Sequence, residues 1–543
     1  MAIPNPLDIL NEISGLLHTL TRARLLVALR PDKYGRMAAA IRTQGITMTT
    51  GFVIAAVRCP DRAGLIDELG TLTWKQLDDR ANALAAAFQV LPGGTPRVLG
   101  IMCRNHRGFI DALAAANKIG ADVLLLNTSF AGPALAEVLV REGVDTIVYD
   151  AEFTNVIDRA LVDDSTCRRV LGWTDDYRAG GGPSIEKFIA GHAGQRPTPS
   201  LRKGKLILLT SGTTGTPKGA RHSGGDPGAI KAILDRVPWR AEETTVVAAP
   251  MFHAWGLGQL VISAMLACTV VTQRKFDPET TMELVDHYEA TGLSVVPVMF
   301  DRIMELPDDV RNSYSGRSLR FASASGSRMR PDIVTAFMDQ FGDVIYNNYN
   351  ATEAGLIATA SPQHLRTAPD TAGLPAVGTE IRILDDALHD VPTGETGGIY
   401  VRNSAQFDGY TDGGTKNFHQ GFMASGDVGY LDAAGLLFVV GRDDEMIVSG
   451  GENVYPIEVE KVLVAHAAVA EAAVLGVDDE TYGQRLVAFV VLNQGALATA
   501  DTLKQHIRDN LANYKVPREI TILDELPRNG TGKIARRELL ERT

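Results

Sequence analysis

The chain has 543 residues, of which 45% are hydrophobic and 22% charged, the composition of an ordinary globular protein. A single core does not grow to this length, so roughly two to four domains are expected. The net charge of −12 argues against nucleic acid as the main partner. Cys59, Cys103, Cys167 and Cys268 form no CxxC and no metal spacing, and read as free or buried thiols of a reducing compartment. The opening Met-Ala-Ile-Pro-Asn-Pro has no basic leader region, and no apolar run is long enough to span a bilayer. The expected location is the cytoplasm.

Residues 7–44 carry Ile9, Leu10, Ile13, Leu16, Leu17 and Leu20 near helical spacing, with an interruption expected at Pro31. Arg22, Arg24, Arg30, Lys33 and Arg36 make this stretch basic within an acidic protein. Packing on its own domain is the favoured reading, and contact with a membrane surface is the alternative. Thr71–Leu77 reads as a strand turning into a helix that runs to Phe88. Val98–Met102, Asp122–Leu126 and Thr146–Tyr149 are short apolar strands, separated by helices at 107–118 and 133–142. Strands alternating with helices predict βαβ units and a parallel sheet.

After a polar connection at 174–200, the apolar strand Leu206–Leu209 breaks into Thr210, Ser211, Gly212, Thr213, Thr214, Gly215, Thr216, Pro217, Lys218 and Gly219. Glycines allow close backbone approach, and hydroxyls with one ammonium suit an oligophosphate. This is not the nucleotide-triphosphatase P-loop, because Pro217 precedes the lysine and Gly219 follows it. Strands resume at Thr245–Ala249, Thr269–Thr272, Leu293–Val296 and Leu319–Ala322. Val344–Tyr346 then leads into a polar loop, Asn347–Glu353, placed where doubly wound sheets bind ligands. From about 373 the pattern is β-rich with Gly-rich turns, predicting a small antiparallel unit. Gly441–Asp444 is a polar break, so the expected domains are 1–441 and 442–543, the second an α+β unit.

Five stretches occur in one family's order: Thr210–Gly219, Tyr349–Glu353, Ser425–Asp427, Gly441–Asp444 and Asn529–Lys533. Together they resemble the adenylate-forming superfamily of acyl-CoA synthetases, luciferases and peptide-synthetase adenylation domains, from about residue 50 onward. The resemblance implies an α/β fold: a large N-terminal domain of doubly wound subdomains with a β-rich subdomain, and a small mobile α+β C-terminal domain. It implies a carboxylate attacking ATP to give acyl-adenylate and pyrophosphate, followed by attack of a thiol, usually that of coenzyme A. Two anions must meet in the first step, which demands neutralisation and in-line positioning.

The resemblance assigns roles residue by residue. The phosphate loop with Lys218 would hold the β- and γ-phosphates, Glu353 would bind Mg²⁺ and Thr352 the α-phosphate. Tyr349 would stack on adenine, with Gly326 near the adenine and the acyl group. Asp427 would accept the ribose hydroxyls, and Arg442 would reach the ribose or phosphate. Lys533 would stabilise the charge of adenylation. Asp444 matches a hinge, and Gly450 and Gly451 match the segment lining the pantetheine path. The family commonly has Gly where Asn350 stands, and Asn tolerates left-handed backbone better than most residues.

His253, in Met251–Leu257, would gate or wall the acyl pocket, with Trp255, Leu257 and Leu260 adding apolar surface. Nothing charged in that stretch would pair with a second carboxylate or an amine, so an apolar monocarboxylic acid, foremost a fatty acid, is expected. Expected partners are therefore ATP, coenzyme A and the acid, with no nucleic acid; membrane contact through the N-terminal segment and a homodimer stay open. The alternatives are a fatty-acyl-AMP ligase serving a carrier protein, a ligase of another acid such as an aromatic one, and a non-catalytic binding homologue.

Overall fold

The computed structural model describes residues 6–25, 30–45, 47–161, 166–175, 182–210, 218–222, 227–449, 452–479, 483–530 and 532–543. These fall into two compact units. One comprises 1–370 with 376–379 and 403–415, and the other 371–375, 380–402 and 416–543.

The first unit contains two mostly parallel sheets. In one, the strands run in the order Arg168–Trp173, Thr146–Asp150, Val98–Met102, Asp122–Leu125, Leu206–Thr210, Lys218–His222. All pairs are parallel except the last, which is an antiparallel hairpin. In the other, the order is Gly355–Ala360, Ile345–Ala351, Phe321–Ala324, Gly292–Val295, Thr244–Val247, Thr269–Val271, Ala63–Asp67, Gly70–Thr73. Its central pairs are parallel and each of these ends is an antiparallel hairpin. Strands covered on both faces must be apolar throughout. Thus Leu99, Ile101, Val123 and Leu125 enter one core with Phe88, Phe109 and Val270, while Leu124 and Ile147 enter another with Leu135 and Ile157.

The helices of this unit follow from local signals. Thr73 caps Trp74–Gln89 in a capping box: its hydroxyl accepts from Gln76 N at 3.2 Å, and Gln76 Oε1 accepts from Thr73 N at 2.8 Å. The expected helices at 107–118 and 133–142 are Arg107–Ile119 and Gly132–Glu142. The interruption expected at Pro31 is present: one helix ends at Arg22 and Pro31 begins the next, Pro31–Gln44, because a first-turn residue needs no N–H acceptor. The helix Pro6–Arg22 is tied to Pro227–Arg236 through Thr19 with Asp235 and Arg22 with the Leu234 carbonyl.

A buried Cys103–His106–Asp150 cluster has the composition of a metal site, but its polar atoms are occupied. His106 Nδ1 accepts from Gly108 N at 3.0 Å and its Nε2 faces Asp150 Oδ1 at 2.8 Å, so the imidazole is a helix cap pinned by a carboxylate. All four cysteines are free, as expected. Burial pushes the Cys167 thiol up to about 11 and Cys268 up to about 12. Among the described residues no helix is long and apolar enough to cross a membrane.

The second unit holds the expected antiparallel sheet, in the order Glu380–Leu384, Gly397–Arg402, Phe422–Leu431, Phe418–His419, with Leu437–Arg442 also paired to Phe422–Leu431. Its remaining sheet runs Glu452–Val454, Ile447–Ser449, Gly483–Leu492, Val469–Asp479, with Glu519–Leu523 on Gly483–Leu492. Helices Pro456–Val464 and Ala500–Asn510 close its core through Val459, Leu463, Leu503 and Ile507.

Two stretches expected as loops are strands. Asn347–Ala351 continues the strand Ile345–Ala351 and pairs with Gly355–Ala360. Its asparagines are tolerated because buried Asn348 donates to Ser323 Oγ at 2.9 Å and accepts from Thr359 Oγ1 at 3.0 Å. Lys218 and Gly219 likewise begin the strand Lys218–His222.

Candidate active site

The strand Leu206–Thr210 is apolar and buried through Leu208, and it pairs back onto Lys218–His222 with Thr210 opposite Lys218. Both ends of the expected phosphate loop are thereby pinned in one hairpin. Ser211, Gly212, Thr213, Thr214 and Gly215 lie outside the described residues.

The outer edge of that hairpin is covered by residues 407–412. Arg221 N donates to Gly409 O at 3.1 Å, Asp408 N to Arg221 O at 3.0 Å and Thr411 N to Gly219 O at 2.8 Å. Gly219 has to be glycine here, since a Cβ would lie 2.8 Å from both Ile207 and Thr411. Lys218, half-exposed, pairs with Asp412 at 3.1 Å, and its ammonium stands 5.5 Å from the Tyr410 ring centroid. The Gly414 N–H and then Lys218 hold the Asp412 carboxyl below its ordinary value.

Glu353 follows the strand Ile345–Ala351 and is buried. Phe407 N donates to its carbonyl at 2.8 Å, and the Tyr410 hydroxyl donates to its Oε1 at 2.7 Å. Among the described residues no lysine or arginine pairs with this carboxylate. A buried carboxylate with a neutral donor on one oxygen and no cationic side chain suits a hard divalent cation. Nearby His222 is held below its ordinary value by burial, opposed by Asp408, the Thr352 backbone and Glu353.

Thr352 is half-buried in the turn before Glu353. Tyr349 pairs with Ala358 across the hairpin, and a bulge separates it from Asn350. Asn350 is not left-handed, because it sits in a strand; the nearby positive φ of 63° belongs to Gly355. The departure from glycine therefore causes no backbone strain, and Asn350 has no need of the left-handed tolerance that the sequence suggested. It does leave Asn350 Oδ1 buried without a hydrogen-bond partner among the described residues. Gly326, just beyond Phe321–Ala324, has φ of 110° and open space where a Cβ would stand.

His253 precedes the helix Ala254–Met265, half-buried with its ring 4.5 Å from that of Phe252. The apolar surface expected beside it goes into the core. Leu257 and Leu260 are fully buried with Phe52 and Leu65, and Trp255 is buried with its Nε1 donating to Val295 O at 2.8 Å. Gly256 allows the helix to approach the chain, since a Cβ there would meet Pro250 O at 2.2 Å.

In the second unit, Asp427 and Arg442 are paired residues of neighbouring strands, 3.9 Å apart at Oδ1 and Nε. Ser425 Oγ shapes the approach: it accepts from Asp427 N at 3.0 Å and donates to Ile399 O at 2.9 Å. Asp444 falls in the short 3₁₀ turn Asp443–Glu445. Gly450 and Gly451 lie outside the described residues. Lys533 is exposed on a tight loop, where Asn529 N donates to Lys533 O at 2.8 Å and Lys533 N donates to Asn529 Oδ1 at 3.0 Å.

Sequence reasoning does not find Tyr410 or Asp412, and it takes Asn529 as part of the Asn529–Lys533 motif without its tie to the Lys533 backbone. The run Gly409-Tyr410-Thr411-Asp412-Gly413-Gly414 announces a turn but not its partners.

Comparison with known proteins assigns the chain to a family. Residues 52–411 match the AMP-binding enzyme family and residues 458–533 the AMP-binding enzyme C-terminal domain. The 2-succinylbenzoate–CoA ligase of Geobacillus kaustophilus (strain HTA426) is 32% identical over 502 residues, covering 91% of this chain and 97% of that protein. A feruloyl-CoA synthase of an Amycolatopsis species is 30% identical over 517 residues, covering 92% and 100%. The structure of o-succinylbenzoate coenzyme A synthetase from Bacillus subtilis in complex with AMP superposes with a TM-score of 0.76 at 26% identity, covering 90% and 97%. The chain belongs to the AMP-binding enzyme family and is an ATP-dependent acid–thiol ligase of the adenylate-forming superfamily.

Proposed function

We propose that this ligase activates a compact aromatic carboxylic acid. The acid's carboxylate oxygen attacks the α-phosphorus of ATP, and the bond to the β-phosphate oxygen breaks to release pyrophosphate. The sulfur of coenzyme A then attacks the acyl carbonyl carbon, AMP leaves with the carboxylate oxygen, and the thiol proton passes to solvent.

The observation that carries the ATP site is Glu353, a buried carboxylate with no cationic side-chain partner among the described residues, linked through Tyr410 to the neighbourhood of Lys218. Mg²⁺, when bound at Glu353, would neutralise phosphate charge. Lys218 and the loop 210–215 hold the β- and γ-phosphates, Thr352 the α-phosphate, Tyr349 the adenine and Asp427 the ribose, with Arg442 beside it. Lys533 stabilises charge as the first step proceeds. Residues 442–543 act as a mobile domain on 1–441, swinging at Asp444 so that Gly450 and Gly451 replace Lys533 beside the thiol arm.

Two findings favour an aromatic over a long-chain acid. Leu257 and Leu260 are consumed in the core instead of lining a channel. The curated relatives above are named for 2-succinylbenzoate and ferulate. A fatty acid is the second reading, supported by Leu16 and Leu17, exposed on the helix Pro6–Arg22 that leads into the basic stretch of Arg22, Arg24, Arg30, Lys33 and Arg36, a surface suited to a lipid bilayer. Acid-dependent ATP–pyrophosphate exchange and CoA-thioester formation should be measured over benzoates, cinnamates and straight-chain acids. Higher kcat/KM for an aromatic acid is expected. Preference for a long straight chain overturns the aromatic reading, and absence of exchange with every acid overturns the site.

A further inference from the structure

Residues 407–412 hold two parts of the proposed ATP site at once. Their backbone runs antiparallel to Lys218–His222, with Tyr410 bridged to Ala220. Side chains of an extended segment alternate in direction. Tyr410 and Asp412 both meet Lys218, whereas Thr411 between them donates to Glu142 Oε1 at 2.8 Å. Phe407 holds the Glu353 carbonyl and packs edge-on against Tyr410, with ring centroids 4.8 Å apart. Glu353 is therefore gripped at its backbone by Phe407 and at its carboxylate by Tyr410, 57 residues away.

We propose that Tyr410 is a positioning residue that orients the Glu353 carboxylate for a divalent cation and the Lys218 ammonium for the phosphates, coupling the two binding events. The inference rests on the proposed roles of Glu353 and Lys218. The tyrosine hydroxyl uses one acceptor site on Oε1 and leaves Oε2 and the remaining lone pairs for a cation. The face of an aromatic ring attracts an ammonium without neutralising it, so Lys218 keeps its charge for phosphate. Asp412 is the opposing element. It holds the same ammonium at 3.1 Å from an exposed position and yields it to the more highly charged oligophosphate.

The test is ATP binding by calorimetry, without acid or coenzyme A, in EDTA and over graded Mg²⁺. Tyr410→Phe keeps the ring and loses the hydroxyl. It should raise the Mg²⁺ concentration that half-maximally tightens ATP binding by about tenfold, the loss expected for a hydrogen bond to a charged group, and leave affinity in EDTA unchanged. Tyr410→Ala should also weaken binding in EDTA by about threefold, through loss of the ring beneath Lys218. Asp412→Asn should tighten binding in EDTA by about threefold, a gain that misfolding cannot mimic.

Glu353→Gln separates this inference from the reading beneath it. If that variant keeps the wild-type response to Mg²⁺, the cation assignment fails. If it loses the response while Tyr410→Phe keeps it, the cation assignment stands and the positioning role is overturned. Equal affinities of Tyr410→Phe and Tyr410→Ala in EDTA overturn the role toward Lys218, as does unchanged or weaker binding by Asp412→Asn.

Discussion

Asp427 and Arg442 face each other in register across two antiparallel strands, with Oδ1 and Nε 3.9 Å apart. The arginine is 40% exposed and the carboxylate 19%, so the pair contributes only about 0–1 kcal/mol to folding. Its value lies in holding a carboxylate and a guanidinium side by side at the end of Leu437–Arg442, next to the turn that contains Asp444.

Asp427→Asn should therefore separate binding from stability. Replacing one of the two carboxylate oxygens proposed to accept ribose hydroxyls with an amide NH2, and removing the charge, should weaken ATP and AMP binding by about tenfold or more. Thermal melting should shift by less than about 3 °C. Titration calorimetry with AMP checks the first, and an unchanged affinity would remove Asp427 from the ribose site.

Lys533 stands on a loop tied by Asn529 through both backbone and side chain. Lys533→Ala should slow adenylation by about a hundredfold or more, as removal of a preorganised charge at a transition state does. Thioester formation from supplied acyl-adenylate should be spared. Asn529→Ala should show a smaller defect of the same kind, because the ammonium is kept and only its support is lost. Pyrophosphate exchange and single-turnover thioester assays distinguish these outcomes, and equal loss of both half-reactions would count against the role.

What was legible in the sequence follows from which forces are local. Val98–Met102 and Asp122–Leu125 show themselves because strands buried on both faces must be apolar. Glu353, Asp427 and Lys533 are proposed from ordered motifs, since phosphate chemistry admits few residue types. Ile345–Ala351 and Lys218–His222 do not look like strands. Their pairing partners stabilise them, and that stabilisation comes from residues elsewhere in the chain. Tyr410 was invisible for the same reason: backbone pairing places it, and backbone pairing tolerates almost any sequence. Leu257 and Leu260 misled in the opposite direction. Apolar residues at helical spacing serve the core before they serve a ligand.

Asp444 lies within the 3₁₀ turn Asp443–Glu445. Proline there would lock φ near about −65° and prevent a hinge from sampling a second value. Asp444→Pro should impair one half-reaction at least about tenfold more than the other. Adenylation and thioester formation measured separately decide this. Equal rates in both, at wild-type level, would rule out a hinge at this residue.

Asn350 Oδ1 is a buried acceptor with no hydrogen-bond partner among the described residues, and such an atom costs stability unless a ligand satisfies it. Asn350→Ala should leave melting unchanged or raise stability by up to about 1 kcal/mol. If a donor on the bound nucleotide or acid satisfies Oδ1, the same change should weaken that ligand by about fivefold or more. Parallel melting curves and ligand titrations test the pairing of gain and loss. Lower stability with full affinity would mean that Asn350 serves the fold alone.

The acid limb of stability should depend on His364. Its Nδ1 accepts from Ser361 N at 3.3 Å, while Ser361 Oγ accepts from His364 N at 3.4 Å, forming the capping box of Pro362–Thr367. Protonation of Nδ1 abolishes that acceptor. Burial and then the charge of Arg236 hold the ring below its ordinary value of 6.5. The unfolded chain consequently takes up the proton at a higher pH than the folded one, and below about 6.5 protonation favours unfolding. The contribution is present above that pH and is lost as pH falls through the folded value. His364→Gln keeps an acceptor at the same capping position without a titrating ring. The variant should melt close to wild type at about pH 7.5 and show a smaller loss on acidification to about pH 5. His222, also held low by burial, retains its own share of the acid limb, so the slope should shrink without vanishing. Identical pH dependence in the two proteins would show that His364 protonation does not break the cap.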